Sequence, residues 1–313
     1  MRITDEQARL LALCKVKGAN WYLLAREAQR VDGLDRLWRG EITESSPDAV
    51  KTVAALRRAI SALDEYASSA EKDVDAAFEA GAELVTVVDP SYPANLRLIY
   101  NLPPFLFVRG EIKDEDLRSV AIVGTRQATA AGIQRARRMA RLLAERDVTV
   151  ISGLARGIDT AAHEGALEEN GGRTIAVIGT GILGCYPPEN GRLADRIAGA
   201  GAVVSQFWPS APPATYGFPR RNVTMSGMAQ GTVVIEASST SGAKMQARIA
   251  LEHGKKAFLI RSLTERQEWA MRYVRERGAI MVEDVADVIR ALLPSERIHA
   301  ADDRRAQLAL QFG

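Results

Sequence analysis

The chain has 313 residues, 47% of them hydrophobic and 26% charged, with a formal net charge of +2. That length accommodates a sizeable core in one large domain or two smaller ones, and the near-neutral balance excludes a protein that coats nucleic acid with a general basic field. Cys14 and Cys185 stand far apart and outside any Cys/His cluster, which argues against a disulfide framework or a zinc site. MRITDEQARL lacks the apolar core of a secretory signal and no stretch reaches the length of a membrane span, so a cytoplasmic protein is expected, with no metal and no membrane partner.

Residues 1–80 read as a separate helical domain. Glu6 to Cys14 and Trp21 to Val31 are short amphipathic runs, and Val50, Val53, Leu56, Ile60 and Leu63 recur at helical spacing. Lys15 to Asn20 connects two of these helices, and a plain connector explains it better than a worn helix-hairpin-helix turn. Residues 81–117 form an extension or linker, with strands at Glu83–Val88 and Phe105–Val108 around the turn cluster Asp89-Pro90-Ser91-Tyr92-Pro93. From 118 to 293 apolar runs alternate with helical segments. Strands are expected at 119–124, 147–152, 173–179, 202–206, 231–236, 256–260 and 279–282. Continuous apolar strands with helical crossovers give an α/β fold, a doubly wound, mostly parallel Rossmann-like sheet. The tail, 294–313, is polar and mixed in charge and is expected to fray.

The turns of this sheet carry the chemistry. Gly124-Thr125-Arg126 follows the first strand of the 118–293 region, and Ser152-Gly153-Leu154-Ala155-Arg156-Gly157 follows the second. Ligands of open α/β sheets bind beyond the carboxyl ends of the strands, where helix N-termini present free N–H groups. Arg220 and Arg221 stand in Phe218-Pro219-Arg220-Arg221-Asn222, and Lys244 follows Ser241-Gly242. The helix dipole disfavours a cation at a helix N-terminus by roughly 0.3–1 kcal/mol, so repeated cations there point to an anion. Taken singly, each is equally well explained by a neighbouring carbonyl or by Asp159, Glu189 or Glu236. Ser152 and Ser241 are expected to offer N–H and hydroxyl contacts to a phosphate. Tyr186, Phe218 and Tyr216 are the available stacking surfaces.

Gly179-Thr180-Gly181-Ile182-Leu183-Gly184 spells a dinucleotide fingerprint but runs into Cys185-Tyr186-Pro187-Pro188, which stops a helix. No ribose-binding carboxylate follows the next strand, so a tight turn lining a pocket is expected and no NAD or other cofactor. Asp159 and His163, four apart, read as a hydrogen-bonded brace rather than an acid–base pair. Arg135, Arg137, Arg138 and Arg141 read as a solvated helix face. Trp269 and Tyr273, also four apart, are expected to be buried in the fold or an interface.

The motifs VDPSYPANLRLI with PPFLFVRG, AIVGTR, VISGLARGIDTAAHEGAL, IAVIGTGILGCYPPEN, FPRRN and SGAKMQARIALEHGK, in this order, cover about 85–293. In them the chain resembles the DprA/Smf family of DNA-processing proteins. The resemblance implies an extended Rossmann-like domain, single-stranded DNA binding in natural transformation, a homodimer, and delivery of the RecA recombinase onto single strands. It also implies DNA-phosphate contacts from Gly124-Thr125-Arg126. Three stretches depart from the family. An apolar SGSLxTA-like run is usual where Ser241 to Ala247 reads SGAKMQA. Gln206 replaces the usual acidic residue, and Arg261 to Glu265 with Trp269-Ala270-Met271 replaces a Pro-Gly and Gly-rich turn. A divergent paralogue acting in phage defence or another DNA transaction is therefore a further reading. The rival class is an enzyme. LOG-type phosphoribohydrolases use a PGGxGTxxE loop, and Glu236 to Lys244 lacks its paired glycines and following glutamate. A nucleotide sensor signalling through the N-terminal domain is the third reading.

Overall fold

Capping side chains set where the N-terminal helices begin. The structure, a computed structural model, describes residues 3–312. Thr4 and Gln7 form a reciprocal capping box at α1 (Asp5–Lys15). The Asn20 side chain caps α2 (Trp21–Ala28), and α3 (Gly33–Trp38) follows. Ser46, with Pro47 at the first helical position, opens α4 (Pro47–Ala59). A short 3-10 turn then leads into α5 (Leu63–Glu79). The expected inward set is right in part. Leu56 and Leu63 are buried, but Val50 is 69% exposed and Ile60 46% exposed, and Ala49, Thr52 and Ala55 of α4 are buried in their place. Thr52 belongs to the inward face because its hydroxyl accepts from the Asn20 N–H and donates to the Asp48 carbonyl.

The sheet has nine strands in the order β1-β2-β6-β5-β4-β3-β7-β8-β9. These are β1 (Ala82–Thr86), β2 (Phe105–Gly110), β3 (Ser119–Val123), β4 (Thr149–Ser152), β5 (Thr174–Val177), β6 (Ala202–Ser205), β7 (Gly231–Val234), β8 (Lys256–Ile260) and β9 (Ile280–Val282). Strands β3 to β9 pair in parallel. Their ends fall within two or three residues of the expected ones. The 81–117 segment is more than a connector, because β1 and β2 add two antiparallel strands beyond β6. Around the sheet lie α6 (Ala94–Arg97), α7 (Ala130–Ala144), α8 (Ile158–Ala166), α9 (Gly191–Ala200), α10 (Gly217–Met228), α11 (Gly242–Glu252), α12 (Arg261–Arg266), α13 (Glu268–Glu276), α14 (Val285–Arg290) and α15 (Ser295–Phe312). Strands β3, β4 and β5 are buried along their whole length, as sheets covered on both faces require.

The tail does not fray as expected. It forms α15, which packs on α6, buries Ile298 and sets Asp302 against Arg97; Gly313 lies outside the described residues. The Asp159–His163 brace is also corrected. Asp159 accepts from the Gly153 and Ala155 N–H groups, and His163 Nδ1 faces Thr174 Oγ1 at 2.7 Å. Trp269 and Tyr273 are buried within the fold, their rings edge-to-face at 5.3 Å. No helix among the described residues is long and apolar enough to cross a membrane.

Candidate nucleic-acid interface

Strand β3 has β4 on one side and β7 on the other, so the strand order reverses there. At such a switch point the connections diverge and leave a crevice beyond the carboxyl ends. A cleft of about 420 Å³ occupies this place. Val123 to Gln127 at the end of β3, Ala155 and Asp159 after β4, and Ser238, Ser241, Gly242, Ala243 and Gln246 after β7 line it, with Phe218, Arg221, Asn222 and Met225 of α10 closing the side. The first turns of α8, α10 and α11 all contribute lining residues, so three positive dipole ends converge on it.

Two glycines hold this geometry. Gly157 has φ +76°, and a Cβ there would lie 2.5 Å from the Thr125 carbonyl oxygen. A Cβ on Gly153 would overlap the Arg221 guanidinium, 1.7 Å from Nη1. Any side chain at 153 would therefore displace the arginine.

The five expected cations fare differently. Arg126 is exposed at the mouth and lies over the Phe218 ring at 5.0 Å. Arg220 is exposed over Tyr216 at 5.6 Å and does not line the cleft. Tyr186 packs 5.8 Å from Phe218, so one cation and two rings are in contact beside the mouth. Arg156 turns outward and is neutralised by Glu189. Arg221 is only 6% exposed and donates to the carbonyls of Gly153 and Val177, the latter at 2.8 Å. Its Nε donates to Asn222 Oδ1 at 3.1 Å. Lys244 bends back to the Ser239 carbonyl at 3.0 Å and over Trp269 at 5.7 Å, and it does not line the cleft. Of the five expected cations, Arg126 stands at the mouth, Arg221 is a buried strut within, and Arg156, Arg220 and Lys244 lie outside the lining.

The remaining expected residues divide in the same way. Gly124, Thr125, Phe218, Asn222, Ser241 and Gly242 line the cleft. Ser152 does not, because its buried hydroxyl donates to the Ile122 carbonyl at 2.6 Å. Ser241 Oγ caps α11 by accepting from the Lys244 N–H at 3.3 Å. The loop of Gly179, Thr180 and Gly181 opens no helix. Gly179 sits against the Phe218 ring, Gly181 against the Trp208 and Pro209 carbonyls, and Thr180 accepts from Ser205 Oγ through its own carbonyl. This loop supports the aromatic rim from behind.

Asp159 and Gln246 in the cleft were not foreseen as binding residues. Burial raises the Asp159 carboxyl above the usual carboxylate range, against the pull of Arg221 and two backbone N–H groups. Gln246 is 1% exposed. It was detectable as the one polar residue in the buried stripe Ala243, Gln246, Ala247 and Ala250.

The fold and this site define a Rossmann-like α/β protein whose switch-point cleft carries an exposed arginine against an aromatic ring at its mouth. Sequence comparison places the chain more narrowly. Residues 83–293 match the family model of DNA recombination-mediator protein A, and the chain belongs to that family, the DprA/Smf proteins. DNA processing protein DprA of Streptococcus pneumoniae is 37% identical over 205 residues, covering 65% of this chain and 72% of that protein. Protein Smf of Escherichia coli is 34% identical over 270 residues, 83% of this chain and 71% of its own length. The crystal structure of the pneumococcal protein superposes with a TM-score of 0.72 at 28% identity, covering 94% of this chain and all of the other. A structure of DNA processing protein A from Helicobacter pylori, described for its single-stranded DNA binding mode, shares the fold with a TM-score of 0.59 at 24% identity over 66% of this chain and 94% of that one.

Proposed function

We propose that the protein binds single-stranded DNA along the mouth of the switch-point cleft, protects it there, and passes it on to the RecA recombinase in transformation or recombination, acting as a cytoplasmic homodimer without turning over a substrate. The observation that carries this reading is Arg126, exposed over Phe218 at 5.0 Å and set where β3 ends. A cation beside an open aromatic face is suited to a strand whose phosphates and bases alternate. Names of the relatives support the DNA-processing part. A non-enzymatic role fits Asp159 and His163, which do not meet, and Ser152, whose hydroxyl is committed to the sheet.

The test is single-strand affinity for wild type, Arg126→Glu and Arg138→Glu, with melting temperature as the folding control. Arg138 is exposed on α7, away from the cleft. Reversal of Arg126 is expected to weaken binding about tenfold or more, a loss of roughly 1.4 kcal/mol, while reversal of Arg138 changes it little. Equal affinity in folded wild type and Arg126→Glu would place the strand elsewhere. Light scattering that shows only a monomer at tens of micromolar would remove the homodimer.

A further inference from the structure

We propose that the cleft seats one nucleobase turned out of the bound strand, a base bearing an exocyclic amino group, and that Gln246 hydrogen-bonds its edge. This deepens, and rests on, the strand-binding reading above.

Gln246 projects from α11 into the cleft and is 1% exposed, yet neither its amide oxygen nor its amide nitrogen has a hydrogen-bond partner among the described residues. A buried donor and acceptor left unsatisfied are costly, and such groups call for an occupant that supplies both. A side-chain amide offers an acceptor and a donor side by side, the pattern complementary to one edge of a nucleobase. The cleft, at about 420 Å³, lies in the usual range of small-ligand sites, roughly 300–1,000 Å³.

Charge decides which part of a nucleotide enters. The charged groups lining the cleft are Arg126 at the mouth and Asp159 with Arg221 within. Arg221 spends its Nη1 on two carbonyls and its Nε on Asn222. Asp159 Oδ2 already takes the Gly153 and Ala155 N–H groups, so the convergent helix N-termini meet a carboxylate before any ligand. A phosphate inside would face that carboxylate, whereas at the mouth it meets Arg126. The base is therefore the part that goes in, past Phe218. A carboxylate lining the same cleft favours a base that donates from an exocyclic amino group over thymine, which has carbonyl oxygens in place of that group. A base in a single strand leaves its stack at little cost compared with one in a duplex.

The experiment uses the full chain and anisotropy with oligo(dC), oligo(dT), an oligomer of abasic deoxyribose phosphates, and free dCMP, for wild type and Gln246→Met. Methionine keeps the length of glutamine and removes both polar atoms. Wild type is expected to bind oligo(dC) about fivefold or more tightly than oligo(dT). Gln246→Met should lose a similar factor on oligo(dC), keep the wild-type affinity for the abasic strand, and melt at a higher temperature without DNA. Equal affinity of wild type for oligo(dC) and oligo(dT), or an unchanged affinity of Gln246→Met for oligo(dC), would overturn the base pocket while leaving strand binding intact. Tighter binding of dCMP than of oligo(dC) would assign the cleft to a free nucleotide and overturn the strand source. No binding of any strand by wild type would defeat the strand-binding reading, and this inference with it.

Discussion

Arg221 shows how far one side chain can depart from what its neighbours in sequence promise. Adjacent to the exposed Arg220, it turns inward and ties the carbonyl ends of β4 and β5 together through Gly153 and Val177. Its charge also offsets that of buried Asp159. Arg221→Met would leave two buried carbonyls without their donor and remove the charge that offsets Asp159, at a cost of about 3 kcal/mol or more. Denaturant titration should show this loss, and a variant as stable as wild type would refute the strut. His163 makes a separate residue-scale prediction. Thr174 Oγ1 donates to the Val150 carbonyl and so accepts from His163 Nδ1–H, leaving the ring neutral. Burial, then the Arg221 charge, holds its pKa down to about 3, and burial with Lys255 holds His253 down to about 4. The unfolded chain takes up these protons near pH 6.5 and the folded chain does not. Stability present above pH 6.5 should therefore fall as pH drops toward 4, at about 1.4 kcal/mol per pH unit for each histidine. Melting at stepped pH checks this, and His163→Leu should lower the slope.

At the scale of elements, α15 is the segment whose fate differed most from expectation. Its helix is polar on most sides and buries Ile298 at 3% exposure. Among its described side chains Ile298 is the buried apolar one, which leaves no periodic trace, so the sequence there reads as a fraying tail. Ile298→Ala should cost about 2–4 kcal/mol, read by melting temperature, and should leave strand affinity unchanged because α15 lies away from the cleft; a neutral substitution would mean that α15 contributes no packing. Strands were legible for the opposite reason. Ser119–Val123 and Thr149–Ser152 are buried on both faces, and such strands spell themselves as unbroken apolar runs. Helix α4 was found but only part of its inward face, since Thr52 replaces an apolar residue there by satisfying its hydroxyl locally. The site followed the same logic. Gly124, Thr125, Arg126 and Phe218 were readable because strand-end turns have a known role. Which arginine faces outward depended on Gly153 and Glu189, partners remote in sequence.

For the molecule as a whole, the fate of the cations sets the salt dependence. A net charge of +2 supplies no general field, and pairing or burial takes Arg156, Arg221 and Lys244 out of the rim. On the proposed strand-binding reading, the exposed Arg126 and Arg220 are the two that remain to meet phosphates. Log affinity for a single strand should then fall against log salt with a slope of about −1.4 per chain, since each neutralised phosphate contributes about −0.7. A slope of about −3.5, as five phosphate contacts would give, would show that the strand runs over further cations than the rim holds.

The two antiparallel strands beyond β6 also impose an order of assembly. Phe107 pairs with Ser205, so β2, which has β1 on one side, finds its second neighbour only after roughly a hundred further residues have been made. At about 5–20 residues per second the ribosome needs several seconds or more to supply that neighbour. Throughout that interval Phe105 and Phe107, both fully buried in the finished protein, can be covered on one side only, by Trp21 and the helices before them. The nascent first third is thus a sticky, half-built edge, and its survival depends on how quickly the second third arrives to close it.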